Sequence, residues 1–550
     1  MDPRCAPRGA PVAVIGGSGP VFPPSEVAPV VRSVVRAGQT GAGATRPVRR
    51  PVGDLEGMPA GVRGPARRPV GQGAGRGCGS MAHTPRAILA SSLRPVHHGH
   101  MVFPGREHVV VVGAGVAGLA AAAALSGRFT RVTVLDRDAL GDSPVPRRGV
   151  PQSEHGHILL SAGEQALGEL FGGLSDDLVG AGAVPFDPGS QMSFFRWGGR
   201  WPDIPTGLRL MSLSRPLLEW AVRRRVAGLA NVEIRDRVAV GDLTGAEGTV
   251  TGVVLDDGSE LACDLVVDCT GRGSRSDRWL SALGVPAPRV TEVKINVGYA
   301  TRLFERLPGD IDDVVCHFAL PSPPGERRAG LALPIEGDRW LVSMGGWHGD
   351  FPDGDEATFR DHAESLPLPA FARLIGEREP LSDIAVCGLP SSRRRHFEEL
   401  NRLPAGYLAL GDSVCSFNPI YGQGMTCASL EALALGGLLD RHERVDADVA
   451  AEFYREAARI IATPWQFAVG GDFAYPQTRG ERPRAIGLLN WFSRQIQLAA
   501  MVDPPTRRLY VEVQQLLTPP TALRKPGRAA RILRQAGRAR REIAAGRHKP

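Results

Sequence analysis

No two of the eight cysteines form a C-x-x-C pair; Cys5, Cys78, Cys263, Cys269, Cys316, Cys387, Cys415 and Cys427 are scattered. Most sit in apolar runs, so they read as buried thiols of a reduced compartment rather than a disulfide framework. No apolar run approaches the roughly 18 residues of a membrane-spanning helix. No short charged-then-apolar leader opens the chain. These absences point to the cytoplasm.

Aromatic residues are almost missing from the first hundred positions, where 14 Pro and 17 Gly surround Phe22 alone. Such a stretch cannot bury enough apolar surface to offset its ordering entropy, so it reads as a disordered extension. Met81 and Met101 are plausible alternative starts. The run Val14–Gly19 imitates a nucleotide-binding turn, but Pro20, Pro23 and Pro24 bar the helix that must follow. A G-x-S-x-G elbow is also lacking, since Gly411-Asp412-Ser413 has no flanking glycine, which sets a serine hydrolase aside. Acidic residues are scarce at both ends: residues 1–100 carry +9, Arg524 to the C-terminus +9, and the body between them −11. The basic pI of about 9.2 therefore belongs to the ends, and no nucleic-acid partner is read from it.

What is present centres on Glu107 to Asp136. Val109–Val112 has the length of a buried parallel strand, and Gly113-Ala-Gly115-Val-Ala-Gly118 follows at once. Gly113 makes the tight turn, Gly115 admits a pyrophosphate, and Gly118 lets helix and sheet pack closely. The alanine-rich helix to about Ser126 offers its positive N-terminus to phosphates. Asp136 ends the second strand, where a carboxylate can accept from a ribose hydroxyl. A second signal runs from Leu408 to Met425: a strand ending on Gly411-Asp412, then Asn418-Pro419-Ile-Tyr421-Gly422-Gln-Gly424-Met425. The carboxylate of Asp412 suits a chain of sugar-like hydroxyls, and Gly422 and Gly424 allow backbone to approach a flat ring. The helix starting near Met425 would then stabilise an anionic reduced flavin.

Together with Arg215 on a helix and Asp264-Leu-Val-Val-Asp268-Cys-Thr270-Gly271-Arg-Gly-Ser274, these segments stand in the order of FAD-dependent aromatic hydroxylases and epoxidases. Pro146–His157, Ser416–Met425 and Gly345–Pro352 resemble most the actinobacterial flavin epoxidases of polyether and polyketide pathways, and less closely squalene epoxidase. The resemblance covers about residues 107–525. It implies an α/β fold: a Rossmann-like FAD-binding domain with an inserted antiparallel β-sheet substrate domain and C-terminal helices. It implies FAD held by Gly113, Gly115, Gly118 and Asp136 at the ADP half, and by Asp412 at the ribityl chain. Arg215 would lie near the pyrophosphate, and Arg137, Arg148, Gln152, Gly271, Gly411, Gly422, Gly424 and Met425 would complete the cofactor set. Pro419, Tyr421 and Gly422 would form the catalytic loop. The chemistry implied is transfer of one oxygen atom from O₂, by way of a flavin C4a-hydroperoxide, to an alkene or ring of a lipophilic natural product. Thr270-Gly271 stands where many hydroxylases have Asp-Gly, so NAD(P)H would act directly or through a separate flavin reductase.

The layout expected is an extension at 1–100, FAD-binding parts at 105–190, 212–290 and 401–445, and substrate-domain parts at 191–211 and 291–400. A helical region at 446–523, with breaks at Pro464, Pro476 and Pro504-Pro505, and a basic tail at 524–550 follow. His155 and His157, two apart on a loop, do not make a metal site. Met192, Phe194, Phe195, Trp197, Trp201, Met344 and Trp347 either line an apolar substrate pocket or are ordinary sheet core. The tail, with a thin stripe of Ile532, Leu533, Ile543 and Ala544, is expected to touch a membrane surface or to lie solvated. A terpenoid reductase resembling geranylgeranyl reductases, and a non-catalytic scaffold, are the competing functions.

Overall fold

The computed structural model describes residues 106–310 and 314–549. The extension 1–100, with Val14–Gly19 and Met81, lies outside the described residues, as does Met101. Of those described, 106–523 and 531–549 belong to one compact unit.

Five parallel strands form the nucleotide sheet, in the order Tyr407–Ala409, Leu265–Asp268, His108–Val112, Arg131–Leu135 and Val232–Arg235. A parallel sheet is covered on both faces, which is why its strands read as unbroken apolar runs. Val109, Val110 and Val111 are fully buried, as are Leu265, Val266 and Val267. Helix α1 (Val116–Ser126) leaves the first strand, and α2 (Arg215–Ala227) begins at a Ser214 cap whose side chain accepts from Leu217 N. Helix α3 (Gly424–Leu439) packs against α1, and α4 (Ala447–Asp472) against α3.

The second sheet has nine strands built around Arg289–Glu305, which pairs antiparallel with both Arg339–Gly346 and Ala385–His396. It is antiparallel except at one place: Cys316–Ala319 runs parallel to Met192–Arg196. The two strands come from separate stretches of chain, so no tight turn dictates their direction. Two clusters flank this sheet. Ala300, Phe304, Trp340, Val342 and Met344 pack with Phe359 and Phe371 from two short helices. Val293, Ile295, Val297 and Trp347 pack with Val469, Phe473 and Tyr475.

Helix α4 continues through Pro464, against the expected break. One lost backbone bond and the ring clash cost about 3 kcal/mol. Burial of Phe453, Tyr454, Ile461 and Ala468 along the same 26-residue helix outweighs that, at ~1.5–3 kcal/mol for each large side chain. Pro504 and Pro505 do mark a boundary: they open α6 (Pro504–Gln514), which follows α5 (Ile486–Val502). In α7 (Pro526–Ala544), the residues Ile532, Ala536 and Ala539 are buried with Ile496, Met501, Tyr510 and Val513. Of the expected stripe, Ile532 is buried and Ile543 packs partly on this cluster, whereas Leu533 is half-buried and Ala544 exposed. No helix among the described residues is long and apolar enough to cross a membrane.

Candidate active site

Steric necessity fixes the first half of the site. Gly113 has φ +107°, and a Cβ there would lie 2.5 Å from Cys269 O. A Cβ on Gly118 would collide with the Gly113 carbonyl. Helix α1 starts at Gly115 with no side-chain cap and no acid in its first turn, so its N–H groups remain free for an anion.

Asp136 lies where expected, buried at the end of its strand, but its oxygens are already engaged. Oδ2 accepts from Ala114 N at 2.7 Å and Oδ1 from Asp138 N at 2.9 Å. Arg147 Nη1 donates to both oxygens at 3.2 Å. Arg147 also donates to Asp138 at 2.8 Å and Glu219 at 2.6 Å. Burial works against its charge, but Glu219 and Asp136 outweigh that and raise its pKa. Arg148 lines a cleft of about 470 Å³ with Arg137 and Asp138. Gln152 is exposed on the 3₁₀ turn Pro151–Glu154, which packs against α2.

Arg215 links the two halves. A Cβ on Gly115 would stand 3.8 Å from Arg215 Nη2 and 3.9 Å from Arg147 Nη2. Arg215 also acts on Asp412: burial raises the Asp412 pKa, while Arg215 and Arg272 oppose it. Among the described residues the Asp412 carboxylate has no hydrogen-bond partner. Arg215 Nε is buried without a hydrogen-bond partner, and Glu219 Oε2, also without one, keeps only an ion pair to Arg215 Nη2 at 3.5 Å. Buried polar atoms left without hydrogen bonds are costly, so the open Arg215 Nε and the unbonded Asp412 carboxylate fit a polar ligand between them.

Glycines shape the rest. Gly271 (φ +76°) donates to Ser413 Oγ at 2.9 Å, and Gly411 (φ +67°) donates to Glu431 Oε2 at 2.7 Å. A Cβ on Gly424 would be 3.8 Å from Asp412 Oδ1. Met425 is buried in the first turn of α3, which has neither side-chain cap nor acid. Pro419–Tyr421 is a 3₁₀ turn closed by Gly422 at φ +66°. The Tyr421 ring is not free: its hydroxyl lies directly against Gly471 of α4.

Two anchors are not among the expected site residues: Asp268 lies within the Asp264–Ser274 motif with no role assigned to it, and Glu431 carries no signal of its own. Asp268, fully buried, accepts from Thr270 N and Oγ1, Ser274 Oγ and Tyr407 Oη, welding the Thr270–Ser274 turn beside Ser413. Glu431 sits beneath Gly411, and burial, reinforced by Asp412, pushes its carboxyl up to about 8.

His155 and His157 are buried in hydrogen bonds to Thr301 Oγ1 and to the His155 carbonyl. Burial holds them down to about 4 and, with Arg215 adding to it, about 3, so both are neutral imidazoles. Among the aromatic candidates, Phe195 and Met344 are core on the far cluster, and Phe194 and Trp201 pack on the C-terminal helices. Trp347 alone of the seven shares a cluster with Ile420 of the loop, along with Tyr299, Leu389 and Trp465.

The chain is 34% identical over 394 residues to Protein Rv3254 of Mycobacterium tuberculosis, covering 68% of this chain and 82% of that protein. It is 27% identical over 395 residues to a putative 2-heptyl-3-hydroxy-4(1H)-quinolone synthase of Rhodococcus erythropolis, covering 69% and 91%. A probable FAD-dependent monooxygenase from Pseudomonas aeruginosa superposes with a TM-score of 0.50 at 19% identity, covering 67% of this chain and 98% of that one. No family model matches the chain.

Proposed function

We propose that this chain, which belongs to the family of the mycobacterial Protein Rv3254, is an FAD-dependent monooxygenase that oxygenates an alkene or ring of a lipophilic natural product, by epoxidation. The observation that carries the reading is the convergence, through Arg215, of Gly115 and Asp412, two motif residues about three hundred positions apart in sequence. Held there in its reduced form, FAD would supply two electrons, so that one atom of O₂ enters the substrate and the other leaves as water.

The residues of the chain do the holding and the shielding. The free N–H groups of α1 and the Arg215 guanidinium suit the pyrophosphate; Asp412 suits the ribityl hydroxyls. Tyr299, Trp347, Leu389, Ile420 and Trp465 supply an apolar wall against the Pro419–Gly422 turn, which would exclude water and seat a substrate of low polarity. The Rhodococcus relative, named for a product with a heptyl chain on a quinolone ring, supports a lipophilic substrate.

The test is oxygen uptake and product mass with purified protein, reduced FAD and candidate polyenes. The reading requires one oxygen atom gained per O₂ consumed, with an epoxide among the products. A product changed only in hydrogen content, without oxygen uptake, would assign the protein to terpenoid reduction instead.

A further inference from the structure

One buried carboxyl outside the cofactor-binding set sits beside the loop. Asp472, the last residue of α4, is fully buried. Trp347 Nε1 and Asn418 Nδ2 each donate to its Oδ1 at 2.9 Å. Asn418 caps the 3₁₀ turn that carries Pro419 and Tyr421, accepting from Ile420 N at 3.2 Å. Tyr299 Oη reaches the same Asn418 oxygen at 3.3 Å, and Asn418 N donates to Ser392 Oγ at 3.2 Å. Three elements therefore meet at one oxygen: the end of α4, the residue after the strand Arg339–Gly346, and the loop. The second oxygen, Oδ2, is buried with no partner.

We propose that Asp472 is the positioning residue of the oxygen-transfer site, fixing Asn418, and with it the Pro419–Gly422 turn, against Trp347 of the substrate sheet. The assignment rests on the flavin reading above. A purely space-filling residue at a helix end needs no carboxylate. Here the acid is the acceptor for two donors from different parts of the chain, and among the described residues no other side chain hydrogen-bonds both the loop and Trp347.

The anchor also responds to pH. Burial pushes Asp472 up to about 7, with Trp347 and Asn418 opposing the shift. The groups facing it are the phenols of Tyr299, Tyr421 and Tyr475, all raised by burial and neutral near pH 7. His348, held below its usual value by burial, touches the same corner through Thr478, whose hydroxyl donates to the Asp472 carbonyl. Arg196 is the cation within reach of Tyr421 and Tyr475. The phenols stay neutral across this window, and the His348 imidazole, ordinarily near 6.5 and lowered by burial, makes no bond to the carboxyl; the component of a transition that Asp472→Asn removes is therefore the one assigned to Asp472.

The experiment compares wild type, Asp472→Asn and Asp472→Ala. Its first readout needs no cofactor: the Trp347 contribution to fluorescence, taken as the difference from Trp347→Phe in each background, followed from pH 5.5 to 8.5. Wild type should show a transition centred near pH 7 that Asp472→Asn, which keeps the shape and an acceptor oxygen, abolishes. The second readout is FAD affinity and the flavin absorbance envelope. Asp472→Ala, losing the acceptor for two donors, should weaken FAD by about tenfold and shift the envelope, while Asp472→Asn stays within about threefold of wild type. A pH transition that Asp472→Asn leaves unchanged in midpoint and amplitude, or FAD binding and spectra identical in all three proteins, overturns the proposal. Wild type that binds no FAD overturns the flavin reading and this proposal with it, which the fluorescence arm separates from failure of the anchor alone.

Discussion

Gly118→Ala isolates the steric basis of the dinucleotide turn with a single carbon. Two effects oppose each other. Alanine restricts the unfolded chain and suits a helix interior, which favours the variant by roughly 0.5–1 kcal/mol. Against this, the new Cβ would stand 3.0 Å from the carbonyl carbon of Gly113 and 3.3 Å from Val111 Cγ1, and would overlap the Gly113 oxygen outright. Two of those three atoms are backbone, so no rotamer change relieves the clash; α1 must move off the sheet. Its neighbours Leu119, Ala120, Ala121 and Ala122 are fully buried, so that movement opens packed core. Overpacking of this kind costs about 1–3 kcal/mol or more, which exceeds the helix gain. The shift also carries the free N–H groups of α1 away from the pyrophosphate. Gly168→Ala serves as the signed control, since it lies within the helix Ser161–Leu170 and its Cβ would meet nothing within 4 Å. Thermal unfolding of the apoprotein and FAD titration by fluorescence should show Gly118→Ala less stable by a few degrees and at least about tenfold weaker for FAD. Gly168→Ala should be slightly more stable and bind FAD normally. If Gly118→Ala melts and binds like wild type, close helix–sheet contact is not what the motif provides.

Asp412→Ala should cost the fold little, because the carboxylate has no partner within the described residues, yet weaken FAD by about one to two orders of magnitude; a loss of stability with unchanged FAD affinity would reverse its role. Glu431 has a folded pKa of about 8, above its ordinary 4.5, so the fold favours the neutral acid. The stability it adds is complete below pH 4.5 and drains away as the pH rises through 8, so Glu431→Gln should flatten the fall in melting temperature across that window. With Thr270-Gly271 in place of Asp-Gly, stopped-flow reduction by NADPH should be slower than reduction by a separate flavin reductase even with substrate bound. Arg534, Arg538, Arg541 and Arg547 are exposed, so the protein should sediment with anionic vesicles at low salt and release at high salt; binding that survives high salt would require an apolar contact beyond the partly buried stripe.

Sequence pattern reaches those parts of the site whose physics is local. The contact that demands Gly118 lies five residues back, at Gly113, and the run Val109–Val112 declares a strand covered on both faces. Ser214 announces the start of α2 for the same reason: a cap and its target are three residues apart. Interactions that close across long separations leave no such mark. Arg147 and Arg148 are indistinguishable as neighbours, and only the fold brings Arg147 to Glu219. The strand Ala385–His396 contains Pro390 and the run Ser391-Ser392-Arg393-Arg394-Arg395, which reads as solvated loop. Yet Arg395 is buried, donating to the carbonyls of Ser413 and Ser274 and pairing with Asp277. A buried arginine is tolerable only when its donors are met, and its acceptors come from turns more than a hundred residues upstream and eighteen downstream. The same holds for Asp472, whose two donors lie 125 and 54 residues away. Periodicity reports which face of an element is apolar. It is silent on which polar group will find its partner there, and it is those long-range polar pairings that join the Pro419–Gly422 turn to the nine-stranded sheet.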